Sequence, residues 1–331
     1  MSSVLEIEFA AQDVARTRFA LSPLWEVVAS LRVLLGADAH GLHRRWTEAV
    51  RPRIAAARLD LTPLTSLVTV PTAGIPSFLV PPPTVPQPSL AVELAALRAT
   101  PPPLLRTSTP PARAGVAALR ADPERGLARL AETIEGYWEA AMAPYWPRIR
   151  TLCEGDVQHR ALLLAQGGMQ RLFDDLDPHL AWDEGTLQLA SRCRSGRARL
   201  DGRGLLLTPS AFVWPRIFSD VVAEWQPTLR YPPRGTGTLW EERAQPHPEA
   251  LAGVLGRGRA VLLAELTGPA STTELARRTG LSAGGVSQHL SALRAAGLVS
   301  AHRSGRTVLY ARTSVAEALV AQSSGPSPGS S

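Results

Sequence analysis

The chain has 331 residues, more than a typical single domain, so two domains are the starting expectation. Its 45% hydrophobic and 19% charged composition suits a chain that buries a real core, despite 29 prolines. The net charge is +6, and all 35 basic residues are arginine, which excludes a P-loop lysine, a Schiff base to a cofactor and a lysine general base. Cys153 and Cys193 are too few for a disulfide framework or a four-thiolate metal site, and a reducing cytoplasm is the expected setting. The first residues, Met1 to Glu6, lack the basic and apolar regions of a secretory signal. The uncharged stretch 61–91 carries prolines at 63, 71, 76, 81, 82, 83, 86 and 88. No membrane helix of about 20 residues fits between them, and a soluble chain is expected.

Taken in order, the N-terminal part reads mainly as helix. Ser22-Pro23 opens a segment over 24–35 with proline in the favoured first turn. Segments 42–58 and 90–99 read as further helices, with proline-rich loops at 71–88 and 101–111. Residues 123–176 are mostly amphipathic helix with a break at Pro144 or Pro147. After Asp183 the pattern turns to strands. Asp201-Gly202 suits a hairpin turn within 198–207, followed by short runs at 211–214 and 228–231. The expected fold is α+β, mainly α: a helical domain over 1–244 with a small antiparallel β-meander, then a smaller C-terminal domain over 245–322. A Ser/Gly/Pro tail over 323–331 is expected to be disordered.

Composition supports that division. Residues 245–331 hold 8 arginines and 4 acids, whereas residues 1–244 hold 27 and 25. All eight tryptophans and all six phenylalanines lie before residue 245, and Gln245-Pro-His-Pro248 reads as a short linker. The C-terminal part parses turn by turn. Pro248–Leu255 and 257–266 are two apolar-periodic helices. Ser271-Thr-Thr-Glu274 is a capping box opening the helix Thr272–Thr279, whose Leu275 and Ala276 face inward. Gly280-Leu281-Ser282 is a tight turn whose serine caps the helix 283–296, stopped by Gly297.

That second helix buries Val286, Leu290 and Leu293 on one face. Its other face carries Gly284, Gly285, Ser287, Gln288, Ser291 and Arg294, with no acid among them. Strands at 298–302 and 307–311 flank Arg303-Ser-Gly-Arg306. Such a helix can enter a major groove about 12 Å wide, where Gln288 can read adenine bidentately. The hairpin arginines suit phosphate or minor-groove contact. The expected DNA-binding set is Thr272, Thr273, Ser282, Ala283, Gly284, Gly285, Ser287, Gln288, His289, Arg294, Arg303 and Arg306. The two glycines either fray the first turn or let the backbone approach DNA. His289 either contacts phosphate or packs beside Val286.

This segment resembles the arsenic-repressor-type (ArsR) winged-helix transcription regulators. The likeness lies in Thr273-Glu-Leu-Ala276, Leu281-Ser282, Val286-Ser-Gln-His-Leu290, Leu293-Arg294, Ala296-Gly-Leu-Val299 and Gly305-Arg306 through Tyr310, about 75 residues in all. The resemblance implies a winged helix-turn-helix over 245–322, in a homodimer that binds an imperfect palindrome in double-stranded DNA, usually as a repressor. The metal-sensing members carry a cysteine pair near the first helix of the reading unit, or His/Asp/Glu ligands on the terminal helix. Here 271–280 has no cysteine and Ser314–Gln322 offers only Glu317, so a non-metal small-molecule effector is expected. The runs Gly202 to Pro215 and Tyr231-Pro-Pro-Arg-Gly235 resemble an uncharacterised domain often fused to such winged helices in bacteria. The short terminal helix leaves the N-terminal domain to contribute to the dimer interface, to effector sensing, or to both.

Other chemistry is weaker. His40-Gly-Leu-His43 is read as a solvated helix start, and Asp174-Asp-Leu-Asp-Pro-His179 as a solvated acidic turn, in preference to metal sites. Cys153 with Glu154, Asp156 and His159 lacks the electropositive setting a reactive thiolate needs. Gly325-Pro-Ser-Pro-Gly329 matches a nucleophile elbow only formally, outside any strand-to-helix context. Tyr137, Trp138, Tyr145 and Trp146 read as core or as one face of a pocket. No catalytic residue, metal or cofactor is expected. The rival classes are an enzyme or a protein-interaction scaffold for which the winged helix is a tether.

Overall fold

A computed structural model describes residues 3–38, 40–68, 70, 75–108, 114–191, 195–222, 225–240, 248–304 and 307–322. The chain divides into two compact units, Met1–Trp240 and Glu241–Ser331. The expected linker start at 245–247 and the tail at 323–331 lie outside the described residues.

The N-terminal unit holds strands β1 (Ser3–Glu8), β2 (Arg18–Phe19), β3 (Leu180–Asp183), β4 (Thr186–Ser191), β5 (Gly196–Arg199), β6 (Leu206–Pro209), β7 (Phe218–Asp220) and β8 (Thr228–Tyr231). Its helices are α1 (Ala11–Arg16), α2 (Pro23–Arg32), α3 (Arg44–Ala56), α4 (Thr62–Thr65), α5 (Leu90–Arg98), α6 (Pro102–Ser108), α7 (Ala114–Ala121), α8 (Pro123–Tyr137) and α9 (Trp146–Asp174). Every residue of α2 is buried, so this helix is the axis of the unit. Around it pack α3, α5 and α8, which bring Trp46, Leu94, Leu130 and Ile134 into one core. A π-helical turn, Trp138–Met142, follows α8, and the expected break falls at 143–145, just before Pro147.

The small antiparallel meander is corrected to two four-stranded sheets of mixed direction. The first has the order β3-β4-β1-β5, with β1 antiparallel to β4 and parallel to β5. The second has the order β2-β6-β8-β7, with β2, β6 and β8 mutually parallel neighbours. Asp201-Gly202 does turn the chain, with φ of 52° and 78°. It joins β5 to β6 across two different sheets, so it closes no hairpin. The reason lies in β6 and β8, whose residues are all buried, as strands of a covered parallel sheet are. Two more expectations change. Residues 211–214 form a turn in which 211–213 are buried and Trp214 is exposed, and the Ala211 N–H donates to the Glu26 carboxyl at 2.8 Å. The loop expected over 101–111 contains α6, and its residues 109–113 lie outside the described residues.

The C-terminal unit runs α10 (Pro248–Leu255), α11 (Arg257–Glu265), β9 (Ala270–Ser271), α12 (Thr272–Thr279), α13 (Ala283–Ala295), β10 (Val299–Ser304), β11 (Thr307–Arg312) and α14 (Ser314–Gln322). Strand β11 lies between β10 and β9, antiparallel to both. Leu262, Leu263, Leu275, Val286, Leu290 and Leu293 form the heart of a separate apolar core.

Candidate nucleic-acid interface

Local chemistry sets the ends of both helices of the motif. Ser271 Oγ accepts the Glu274 N–H at 3.2 Å and Ser282 Oγ accepts the Gly285 N–H at 3.2 Å, each filling an orphan donor of a first turn. Only half of the expected capping box forms, because the Glu274 carboxylate pairs with Arg278 one turn on. Gly280 ends α12 with φ 71°, a left-handed conformation that glycine takes without a side-chain clash. Between them these devices hold α12 and α13 at a fixed turn.

Val286, Leu290 and Leu293 are buried, which leaves Ala283, Gly284, Ser287, Gln288, Ser291 and Arg294 exposed on α13. Gly285 is half-buried, and the first turn is a formed, capped helix with no side chain projecting from Gly284 or Gly285. On α12, Thr273 is exposed and Thr272 half-buried, and the capping Ser282 is exposed. Arg303 is exposed on β10, where it pairs in register with Val308. Arg306 lies outside the described residues.

His289 departs from that face. It is half-buried, with its ring against Gly258 of α11. Sequence reasoning passed over Arg277, which is exposed in the last turn of α12, and Arg257 and Arg259, exposed at the start of α11. For Arg257 and Arg259 the available signal was the lack of an acid three or four residues away; for Arg277 there was none, because Glu274 is one turn from both Arg277 and Arg278 and pairs with Arg278.

The N-terminal unit treats its candidate groups differently. Cys153 is buried with Sγ 3.9 Å from the Pro209 carbonyl. Burial first, then the nearby carboxylates of Glu26, Asp156 and Glu154, push its thiol well above the usual range, against thiolate chemistry. Cys193 lies outside the described residues. Asp156 accepts from the Arg234 N–H at 3.0 Å and stands 3.5 Å from Arg160, which also donates to Asp175 at 2.9 Å. His159 lies against Asp175 and Arg234, so it does not form a set with Cys153. His179 bonds Asp177 at the expected acidic turn.

The solvated reading agrees with the exposure of His40 and is corrected at His43. His43 is buried, and its Nδ1 accepts the Trp240 indole N–H at 2.8 Å beside the ring of Phe212. Burial lowers it to about 4, only partly offset by Asp38, so it is neutral. Tyr137 is buried with its hydroxyl 3.0 Å from that of Ser30, and Trp138 packs edge-on to Trp146. A cleft of about 110 Å³ is lined by Thr62, Pro63, Leu67, Leu119, Gly126, Arg129 and Leu130. Among the described residues no group of three or more His, Cys, Asp or Glu side chains is placed to hold a metal, and no helix is long and apolar enough to cross a membrane.

Two helices joined by a tight turn, the second with an acid-free exposed face, define a helix-turn-helix regulatory domain. Residues 261–301 match the family described as bacterial regulatory protein, arsR family, and residues 107–237 match a family of unknown function (DUF5937). The chain therefore carries an ArsR-family regulatory domain at its C-terminal end and a separate domain of unknown function before it, and the former points to a DNA-binding transcription regulator. No curated protein and no solved structure matches the chain.

Proposed function

We propose that the protein is a homodimeric repressor whose C-terminal unit is a winged helix. Helix α13 docks in the major groove of each half of an imperfect palindrome, and the β10–β11 hairpin is the wing that meets the phosphate backbone. The observation that carries this reading is the exposed, acid-free face of α13, with Ser287, Gln288, Ser291 and Arg294 aligned on a capped helix. The bare first turn at Gly284 and Gly285 lets the DNA backbone approach the helix N-terminus, whose free N–H groups and dipole favour phosphate. Exposed Arg277, Arg303, Arg257 and Arg259 add the positive field that attracts DNA.

Two-fold symmetry is supported by Val254 on α10 and Val315 on α14, which are 83% and 62% exposed. Exposed apolar side chains on these two helices suit a partner surface. The N-terminal unit adds to the dimer or receives a non-metal effector, and the protein works by binding, in the cytoplasm, without catalysis or cofactor.

Sequencing genomic fragments captured by the full-length protein tests the reading directly. A recurrent palindromic site, with half-sites about 34–36 Å or a multiple apart, is expected. Joint replacement of Ser287 and Gln288 by alanine should then reduce affinity for that site by at least tenfold. Unchanged affinity and site preference would remove α13 as the reading helix. Capture of no preferred sequence would favour a tether. Exchange of both Cys153 and Cys193 for serine should leave DNA binding unaltered by zinc, copper or arsenite, as in the parent.

A further inference from the structure

The contact between α11 and α13 contains one feature that the apolar stripe does not explain. A Cβ built on Gly258 would lie 2.6 Å from Nε2 of His289, 3.1 Å from its Cδ2 and 3.3 Å from its Cε1. Ordinary contact starts near 3.4 Å, so the imidazole occupies the space that any side chain at position 258 would fill. Gly258 lies inside a helix, where alanine is the better helix former. Its conformation is ordinary, because no left-handed φ is recorded for it, so backbone geometry does not demand glycine here. What demands it is the ring above.

Val286, Leu290 and Leu293 hold α13 by aliphatic contacts, which tolerate sliding and rolling. His289 stands beside that stripe, between Gln288 on the exposed face and Leu290 in the core. A ring seated on a bare α-carbon is a shape key, because it fits at one roll angle. At the surface of a helix about 10–12 Å across, a displacement of about 1 Å equals a roll of roughly 10°. That is enough to spoil a bidentate side-chain contact to a base edge.

We propose that His289 is a positioning residue: its ring, seated on Gly258, sets the roll of α13 and so the direction in which Ser287 and Gln288 face DNA. It does not touch DNA itself. This inference rests on the reading of α13 as the recognition helix. Helix propensity and the key predict opposite signs for Gly258→Ala, which makes the substitution informative. Propensity alone would raise the melting temperature and leave α13 where it is, whereas a methyl group under the ring must swing the ring off its seat or displace α13.

The test uses the full chain and four proteins: the parent, Gly258→Ala, His289→Ala and the double variant. Each is assayed for thermal melting, for affinity to its captured site and for affinity to scrambled DNA. For Gly258→Ala the expected result is a lower melting temperature and at least a tenfold fall in the ratio of specific to scrambled affinity. His289→Ala should lower the ratio by a similar factor, and the double variant should stay within about threefold of His289→Ala alone, because the methyl group acts only through the ring.

A Gly258→Ala protein that melts at or above the parent with an unchanged ratio overturns the proposal. So does a His289→Ala protein with the parent's ratio, or a double variant whose loss is the product of the two single losses. A lower melting temperature with an unchanged ratio would make His289 a packing residue only, and would also overturn it. If the parent shows no preferred DNA, the recognition reading fails first, while melting still reports whether ring and methyl group collide.

Discussion

The two units bury different kinds of side chain. In the N-terminal unit Glu26, Glu93, Arg32, Asp156, Arg160, Arg230 and His43 are all buried. Among the described residues of the C-terminal unit, every buried residue is apolar. The first arrangement ties folding to ionisable groups that must find each other: Glu93 accepts from Ser22 and the Leu24 N–H, and the Arg230 guanidinium sits over the Trp25 ring. The second leaves polar chemistry to the surface, where DNA can use it. One chain thus joins a unit with an all-apolar core to a unit whose stability responds to charge.

The contrast can be broken most severely at Arg160. Its side chain is 2% exposed and that of Asp156 0%, so Arg160→Ala strands a buried carboxylate. A loss of about 3–5 kcal/mol is expected in denaturant unfolding of the N-terminal unit. The melting of the C-terminal unit should not move. Leu290→Ala is the counterpart: it empties part of an apolar core and should cost about 2–5 kcal/mol, confined to the C-terminal unit. If either change destabilised both units equally, the separation of the two cores would be wrong.

Acidity sharpens the comparison further. Burial, opposed by the Ala211 N–H bond, raises the Glu26 carboxyl to about 8; burial likewise raises Glu93 to about 7. In the unfolded chain both titrate near 4.5. The folded unit therefore keeps protons that the unfolded chain has released, and stability falls as pH rises from 4.5 towards 8. His43 works in the opposite sense, because it stays neutral when folded down to about 4 and gains a proton below 6.5 when unfolded. Between pH 6.5 and 8 the histidine is silent and the carboxyls dominate. The N-terminal unit should lose on the order of 1.4 kcal/mol per pH unit there, and Glu26→Gln should flatten the slope. A flat profile in the parent would contradict the burial of these carboxyls in solution.

The smallest effect belongs to the β10–β11 hairpin. Arg303 is exposed, so Arg303→Ala should leave stability within about 0.5 kcal/mol. It should weaken binding to specific and scrambled DNA alike and lower the salt slope by about 1, as loss of one phosphate contact does. A selective loss at the specific site would assign Arg303 to base reading instead.

Legibility differed between the units for a definite reason. The C-terminal elements could be located in the sequence to within a residue or two because their signals are local. Ser271, Gly280, Ser282 and Gly297 each act on residues a few positions away, and the stripe Val286, Leu290, Leu293 repeats at helical spacing. The short strand β9, the exposed Arg257, Arg259 and Arg277, the partner of Glu274 and the seat of His289 were missed. The last two depend on which neighbouring side chain a group reaches, something spacing does not specify.

In the N-terminal unit, composition and proline placement announced helices α2, α3, α5, α8 and α9 and a change to strands after them. The pairing of those strands was another matter. Val4 pairs with Ala190 and Phe19 with Leu207, contacts between positions far apart in the chain, and the order of hydrophobic residues along a strand names no partner. His43 shows the same limit at one residue. Its setting before Arg44-Arg45 reads as solvated, yet Trp240, nearly two hundred positions later, closes over it and supplies its hydrogen bond. Caps, glycines and helical periodicity act over a few residues, and these were written in the local sequence. Sheet order and the burial of Glu26, His43 and Arg160 exist only once distant segments pack and exclude water.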